Sequence, residues 1–333
     1  MKKLKVNPSP LRRSVATVAL LPLLVTACGQ DSGSDGESGK LNTDKLEMIV
    51  QVSPGGGWDT MSRAVADFLP ACVDGSKAVT VYNRIGQGEQ FRVITSDKTG
   101  TKLGPMPLPG VIGGIAAGED YYDLDKVQVL GSVGEDPYVT AVSKKSGITS
   151  LEDLATKDKV LVGNSSGKTG GDFFVNVILS GALGGKWTYV NHEGSQEAGL
   201  AAIRGDVDLV TQPLSSIAEL LKDDNLVPIV VYSAEPVEEL PDVVAAGQNP
   251  LTKEIADLGR IYRVLMISSA APDGAAETLQ AGIKCVAENR DFIKRMGATG
   301  SPVTYMSPEE TLDLQNRLLK VTEENQDRFD AVK

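Results

Sequence analysis

Apolar positions along the chain switch repeatedly between a strand pattern and a helix pattern. Leu46–Val52 is a near-continuous apolar run of strand length, closed by Ser53-Pro54-Gly55-Gly56-Gly57. Thr60–Leu69 follows with Met61, Ala64, Val65 and Phe68 on one helical face. The same switch recurs at strand Ala78–Tyr82, the turn Asn83-Arg84-Ile85-Gly86-Gln87-Gly88 and a helix from Glu89. Strands are predicted at Val127–Gly131 and Val139–Ser143, and a short helix opens at Ser150-Leu151-Glu152-Asp153-Leu154. Strand Lys159–Val162 leads through Gly163–Gly171 into a helix over Asp172–Leu179. Then come strand Trp187–Val190, helix Glu197–Arg204, and strands Val207–Thr211, Val227–Tyr232 and Arg263–Ser268. The end reads helical: Ala275–Asn289, Asp291–Met296 and Ser307–Asn325, the last with Ser307 and Glu310 spaced as a capping box. This alternation predicts an α/β fold with mostly parallel sheets and flanking helices. No internal repeat is visible.

The N-terminus breaks the pattern. Lys2, Lys3, Lys5, Arg12 and Arg13 precede Val15–Val25, eleven largely apolar residues. That is too short to span a membrane, which takes about 20. Val25-Thr26-Ala27-Cys28 follows, so residues 1–27 read as a secretory signal. Residues 28–44, rich in Gly, Ser and acid, cannot bury a core and read as a flexible tether. The body would then work outside the cytoplasm, where Cys72 and Cys285 are either disulfide-bonded or buried as free thiols.

Charge narrows the function. The 333 residues carry 33 basic against 44 acidic side chains, and 28 against 44 without residues 1–27. So acidic a surface argues against nucleic acid as a partner. The one histidine, His192, excludes multi-histidine metal sites, and no metal or cofactor is expected. At 41% apolar residues, the length is enough for about two domains.

Three of the strand-to-helix junctions are glycine-rich, which lets a ligand approach backbone N–H groups at the positive end of a helix. In open α/β sheets, ligands sit at the carboxyl ends of the strands. The third junction also fits two enzyme patterns. Gly163-Asn164-Ser165-Ser166-Gly167 has the spacing of a nucleophile elbow, which makes an exported serine hydrolase using Ser165 the alternative function. Only 27 residues separate Ser165 from His192, with no acid-bearing segment of hydrolase length between. The run Gly163–Thr169 is one residue short of a P-loop.

The ordered set of loops resembles the extracytoplasmic solute-binding subunit of tripartite tricarboxylate transporters. Ser53–Asp59 with Arg63 resembles the first motif, and Asn83-Arg84-Ile85-Gly86-Gln87-Gly88 the second loop. Gly163–Asp172 stands where the family has its third loop. Gly194–Ala198 with Gly205–Asp208 resembles the fourth block, and Leu240–Val243 and Ala271–Gly274 resemble two later signatures. The blocks run in order from about 46 to 325.

The resemblance implies a two-lobed fold of the type II periplasmic binding protein kind, with ligand between the lobes. Lobe 1 would be 45–142 plus 265–333 and lobe 2 143–264. It implies binding residues Gly56, Gly57, Trp58, Asp59 and Thr60 in the first loop, and Asn83, Gly86 and Gly88 in the second. The third loop would supply Ser165, Ser166, Thr169, Gly170, Gly171 and Asp172, with His192 and Ser195 beyond it. It implies a lipid on Cys28, a small organic carboxylate as ligand, and no catalysis. It also implies a monomer that delivers to an ion-gradient-driven permease of one large and one small subunit. Both remaining cysteines, Cys72 and Cys285, would fall in lobe 1.

Some residues depart from the family pattern. Glu89 would either oppose an anion at a helix start or turn to solvent. Trp58 would wall the cleft or pack on the surface. Met106-Pro107-Leu108-Pro109-Gly110 reads as an apolar loop contributing to the cleft. Lys168 adds a charge to the third loop. Asp59 is expected to cap a helix beginning at Thr60.

Overall fold

The computed structural model describes residues 40–332. The signal segment, Cys28 and the tether up to residue 39 lie outside the described residues. Among the described residues, no helix is long and apolar enough to cross a membrane.

The strand β1 (Leu46–Val50) is apolar except at half-buried Glu47, and its other four residues are buried. It pairs in parallel with β2 (Val79–Asn83) and β3 (Lys102–Leu108). The helix α1 (Gly57–Phe68) links β1 to β2, and α2 (Gln87–Thr95) links β2 to β3. The short helix α3 (Gly110–Ala116) follows β3 at once. Its sequence, Gly-Val-Ile-Gly-Gly-Ile-Ala, has no polar stripe, since nearly every position is buried. That is why amphipathic periodicity misses it. Met106 and Leu108, expected in a loop, are buried in β3.

The strand β4 (Val127–Ser143) is one 17-residue strand where the sequence predicts two. Register shifts at Val129/Gly131 and Ser132/Glu135 interrupt the alternation without ending the strand. From Val127 to Pro137 it pairs with β9 (Arg260–Ser268), which in turn pairs with β3. From Tyr138 onward it pairs with β7 (Leu209–Pro213) and β8 (Leu226–Val231). The helix α4 (Leu151–Ala155) precedes β5 (Val160–Asn164), which lies parallel to β6 (Trp187–Asn191) and β7. The sheet order is therefore β2-β1-β3-β9-β4-β7-β5-β6, with β8 on the side of β4. A change of partner along one strand divides the sheet into two halves.

The helix α5 (Gly171–Ala182) leads from β5 to β6, and α6 (Ser195–Arg204) from β6 to β7; a four-residue turn of helix, α7 (Leu214–Ile217), follows β7. The chain ends in α8 (Ala275–Glu288), α9 (Arg290–Gly297), α10 (Pro308–Glu324) and α11 (Gln326–Asp330). Met61, Val65, Leu69, Leu279, Ile283 and Phe292 form the core under α1, α8 and α9. There Cys72 and Cys285 are joined by a disulfide, with Cα atoms 5.7 Å apart. α11 crosses to the second half, where Phe329 packs edge-on against Phe173 at 6.3 Å. The predicted box at α10 forms: Ser307 Oγ accepts from Glu310 N, and the Glu310 carboxylate accepts from Ser307 N.

Candidate functional site

The first glycine loop is held by an acid. Asp59 is buried and accepts from Gly55 N at 2.8 Å, Arg63 Nε at 2.9 Å and Asn83 Nδ2 at 2.8 Å. Asn83 also donates to Val52 O at 2.8 Å and accepts from Arg63 Nη2 at 2.9 Å. Burial pushes the Asp59 carboxyl up. The hydrogen bonds from Arg63, Asn83 and Gly55 and the Arg63 charge outweigh it, and the pKa falls to about 2. The expected helix cap is corrected here: α1 starts three residues earlier than Thr60, its N-cap is Gly56, and Asp59 lies in the first turn. Rather than capping the helix, Asp59 clamps the loop before it to β2.

The second loop turns at Gly86, whose φ of 103° suits only glycine. Gly88 serves packing: a Cβ there would lie 3.1 Å from the Tyr121 ring. In the third loop, Asp172 accepts from Ser165 N, from Ser165 Oγ at 3.0 Å and from Gln212 Nε2 at 3.2 Å. Burial raises the Asp172 carboxyl, opposed by these bonds and by Phe173 N.

These loops share one feature. α1, α2, α5 and α6 have glycine N-caps, Gly56, Gly86, Gly170 and Gly194, and none has a side-chain cap. By contrast α4, α9 and α10 are capped by Ser150, Asn289 and Ser307. The first residues of these four helices, Gly57, Gln87, Gly171 and Ser195, line a single cavity of about 560 Å³, whereas α8, also glycine-capped at Gly274, starts away from it. Four positive helix ends thus meet on one volume, two from each half of the sheet.

The wall of that cavity adds Gln51, Val52, Trp58, Pro107, Tyr138, Glu193, Pro213, Ser216, Ile261 and Arg263. Gln51 and Gln87 each present a buried amide oxygen with no protein partner. Arg263 is 6% exposed, and its Cζ lies 5.7 Å from the centre of the Trp58 ring. Burial pulls its guanidinium below the ordinary value, opposed by Asp136 and Tyr138. Among the described residues, no group of acids, Cys and His is placed to hold a metal.

Of the residues singled out in the sequence, Gly57, Trp58, Gly86, Ser165, Ser166, Thr169, Gly170, Gly171, Asp172 and Ser195 line the cavity. Gly56, Asp59, Thr60, Asn83, Gly88 and His192 do not. Asp59 and Asn83 are braces behind the first loop, and His192 donates its backbone N–H to Asn164 O at 2.8 Å. Glu89 turns to solvent and pairs with Arg92 at 2.9 Å. Lys168 stays off the wall, and of Met106–Gly110 only Pro107 reaches it. Ser165 Oγ donates to Asp172, and His192 Nε2 is buried without a hydrogen-bond partner. No Ser–His pair is assembled. Arg263, Tyr138 and Ile261 were not foreseen, because strand register rather than a loop motif brings them here, and Gln51, in the bend just after β1, was read only as the end of a strand. A charged residue in the alternation Ile261-Tyr262-Arg263-Val264 was the available signal.

No protein-family model matches the chain. The curated protein BugT of Bordetella pertussis is 21% identical over 285 residues, 80% of this chain and 83% of that one. A TctC solute binding protein from Polaromonas, solved without ligand, superposes with a TM-score of 0.68 at 15% identity, covering 86% of this chain and 98% of that one. MatC from Rhodopseudomonas palustris with bound malate gives a TM-score of 0.66 at 19% identity, with coverage of 86% and 98%. The two-lobed periplasmic-binding-protein fold is therefore shown. The likeness in fold to a TctC solute binding protein extends over most of the described chain.

Proposed function

We propose that this chain is an extracytoplasmic receptor of the tripartite tricarboxylate transporter type. It captures a small organic carboxylate between its two lobes and delivers it to a membrane permease. The observation that carries this reading is the meeting of four glycine-capped helix N-termini on one cavity. Free backbone donors and converging dipoles suit a carboxylate. The fold is also that of MatC, which holds malate.

Lobe 1 is 45–142 with 265–333 and lobe 2 is 143–264, joined through β4 and β9. An anion contacting helix ends of both lobes favours the closed state by differential contact. The receptor acts as a monomer held by a lipid on Cys28, with the residues after it as its leash; the expected tether ends before 44, since Leu41 packs against the core and Thr43–Lys45 form a turn of 3-10 helix capped by Asn42. Its permease has one large and one small subunit and is driven by an ion gradient. The binding residues are those of the cavity wall in the four loops, with Asp59 and Asn83 bracing them.

A thermal-shift screen of the full chain against di- and tricarboxylates, aromatic acids, amino acids and sugars tests the reading. A carboxylate at 100 times its Kd should stabilise the protein by about 2.7 kcal/mol. Stabilisation by neutral sugars alone would reject it. Labelling of Ser165 by a fluorophosphonate would instead favour the hydrolase.

A further inference from the structure

The helix ends account for one end of a ligand. The cavity holds a second feature that they leave unexplained, the Arg263 side chain. Arg263 and Ile261 stand two apart on β9 and line the cavity from the same face of the strand. The guanidinium is nearly closed off from solvent, yet its Nε is buried with no hydrogen-bond partner. Its one side-chain bond runs from Nη2 to Ser301 Oγ at 3.2 Å. Asp136 is the acid that acts on it electrostatically, but the Asp136 carboxylate is engaged by Ser215 N and Oγ. Among the described residues, no carboxylate lies within 4.0 Å of the guanidinium. Arginine elsewhere in the same neighbourhood is treated differently: Arg260, three residues earlier, has its carboxylate, Glu135, at 3.0 Å.

A buried cation without a counter-ion is costly, and proteins normally pair it. Here a guanidinium with Asp136 acting only at a distance and one donor on Ser301 opens on a cavity whose wall also offers apolar surface from Val52, Trp58, Pro107 and Ile261. The guanidinium carbon lies over the Trp58 ring, a cation–π arrangement that stabilises arginine without using its donors. The missing partner is an anion that enters with the ligand.

We propose that Arg263 is the specificity-determining residue of the cavity, pairing side chain to carboxylate with the second acid group of a dicarboxylate whose first group sits at the helix N-termini. This rests on the receptor reading above and adds to it. Backbone donors alone accept any carboxylate. A fixed guanidinium fork rewards a second one.

The test is calorimetry on the full chain with succinate, malate, glutarate and adipate, each against its monoamide. Wild type should bind at least one dicarboxylate, about 100-fold more tightly than the matching monoamide. Arg263→Gln should cut the dicarboxylate-over-monoamide preference to less than about threefold, and Arg263→Lys, which keeps charge but not the fork, should fall between. If Arg263→Gln does not fold, Arg263→Lys against wild type decides in its place, a preference unchanged in it overturning the role. Equal wild-type affinity for dicarboxylates and monoamides leaves the receptor standing and overturns the role of Arg263. A preference that survives in Arg263→Gln overturns it as well. Failure of wild type to bind any of the four dicarboxylates or their monoamides overturns this inference, while the receptor reading falls only if the wider carboxylate screen also fails.

Discussion

Asp59→Asn removes the charge that holds the first glycine loop in place. In the native protein the carboxylate accepts from three donors at 2.8–2.9 Å, and its side chain is 3% exposed. An amide of the same shape turns an NH2 toward at least one of those donors. It also leaves Arg63 without its ion pair. The carboxyl has a pKa of about 2 in the folded state against 3.8 for an unperturbed aspartate. That difference is worth at most about 2.5 kcal/mol, with half-exposed Arg63 screened by water. Because the folded pKa is the lower, this stability is fully present above about pH 4 and is lost as pH falls toward 2. Urea denaturation of wild type and Asp59→Asn at a series of pH values from 2 to 7 measures it. The variant should be less stable by about 2 kcal/mol at pH 7, and the gap should close near pH 2. A gap under about 0.5 kcal/mol at pH 7, or one unchanged at pH 2, would refute the clamp.

Replacing both Cys72 and Cys285 by serine opens a bridge across 213 positions of sequence. The chain-entropy model puts the loss at up to about 5 kcal/mol. Neither cysteine lines the cavity, so calorimetric affinity for the best carboxylate should stay within about twofold below the melting range. Gly171→Ala should weaken that affinity at least tenfold by about one lost contact, since its Cβ would drive into Tyr138 Oη. Gly57→Ala meets no atom within 4 Å and should bind normally, as should Lys168→Ala. Cys28→Ser should release folded protein from membranes, and a variant that still sediments with them after a salt wash would place the anchor elsewhere.

The glycine loops could be read from the chain because their chemistry is local. A run such as Ser53–Gly57 between an apolar strand and an amphipathic helix announces both the turn and the exposed amides. Helix starts were less legible. Gly57 and Gly171 are poor helix formers, so α1 was expected three residues late and Asp59 was given the wrong post. Burial hid α3, whose sequence lacks a polar face, and the bulges of β4 hid the continuity of the strand that carries both halves. Arg263 shows the deeper limit. It meets Trp58, 205 positions away in sequence, only because β9 runs antiparallel to β3 with Arg263 opposite Pro107. Periodicity marks it as a strand residue. Only the register shows that it faces the cavity.

Hydrogen exchange at the helix N-termini tests the central claim most directly. The full chain is compared with and without a saturating carboxylate found by the screen. The account predicts slowed exchange together at Gly57–Trp58, Gln87–Gly88, Gly170–Gly171 and Ser195–Gln196, on both halves of the sheet. Protection confined to one half, or centred on the groove beside Tyr305 and Arg317, would contradict it.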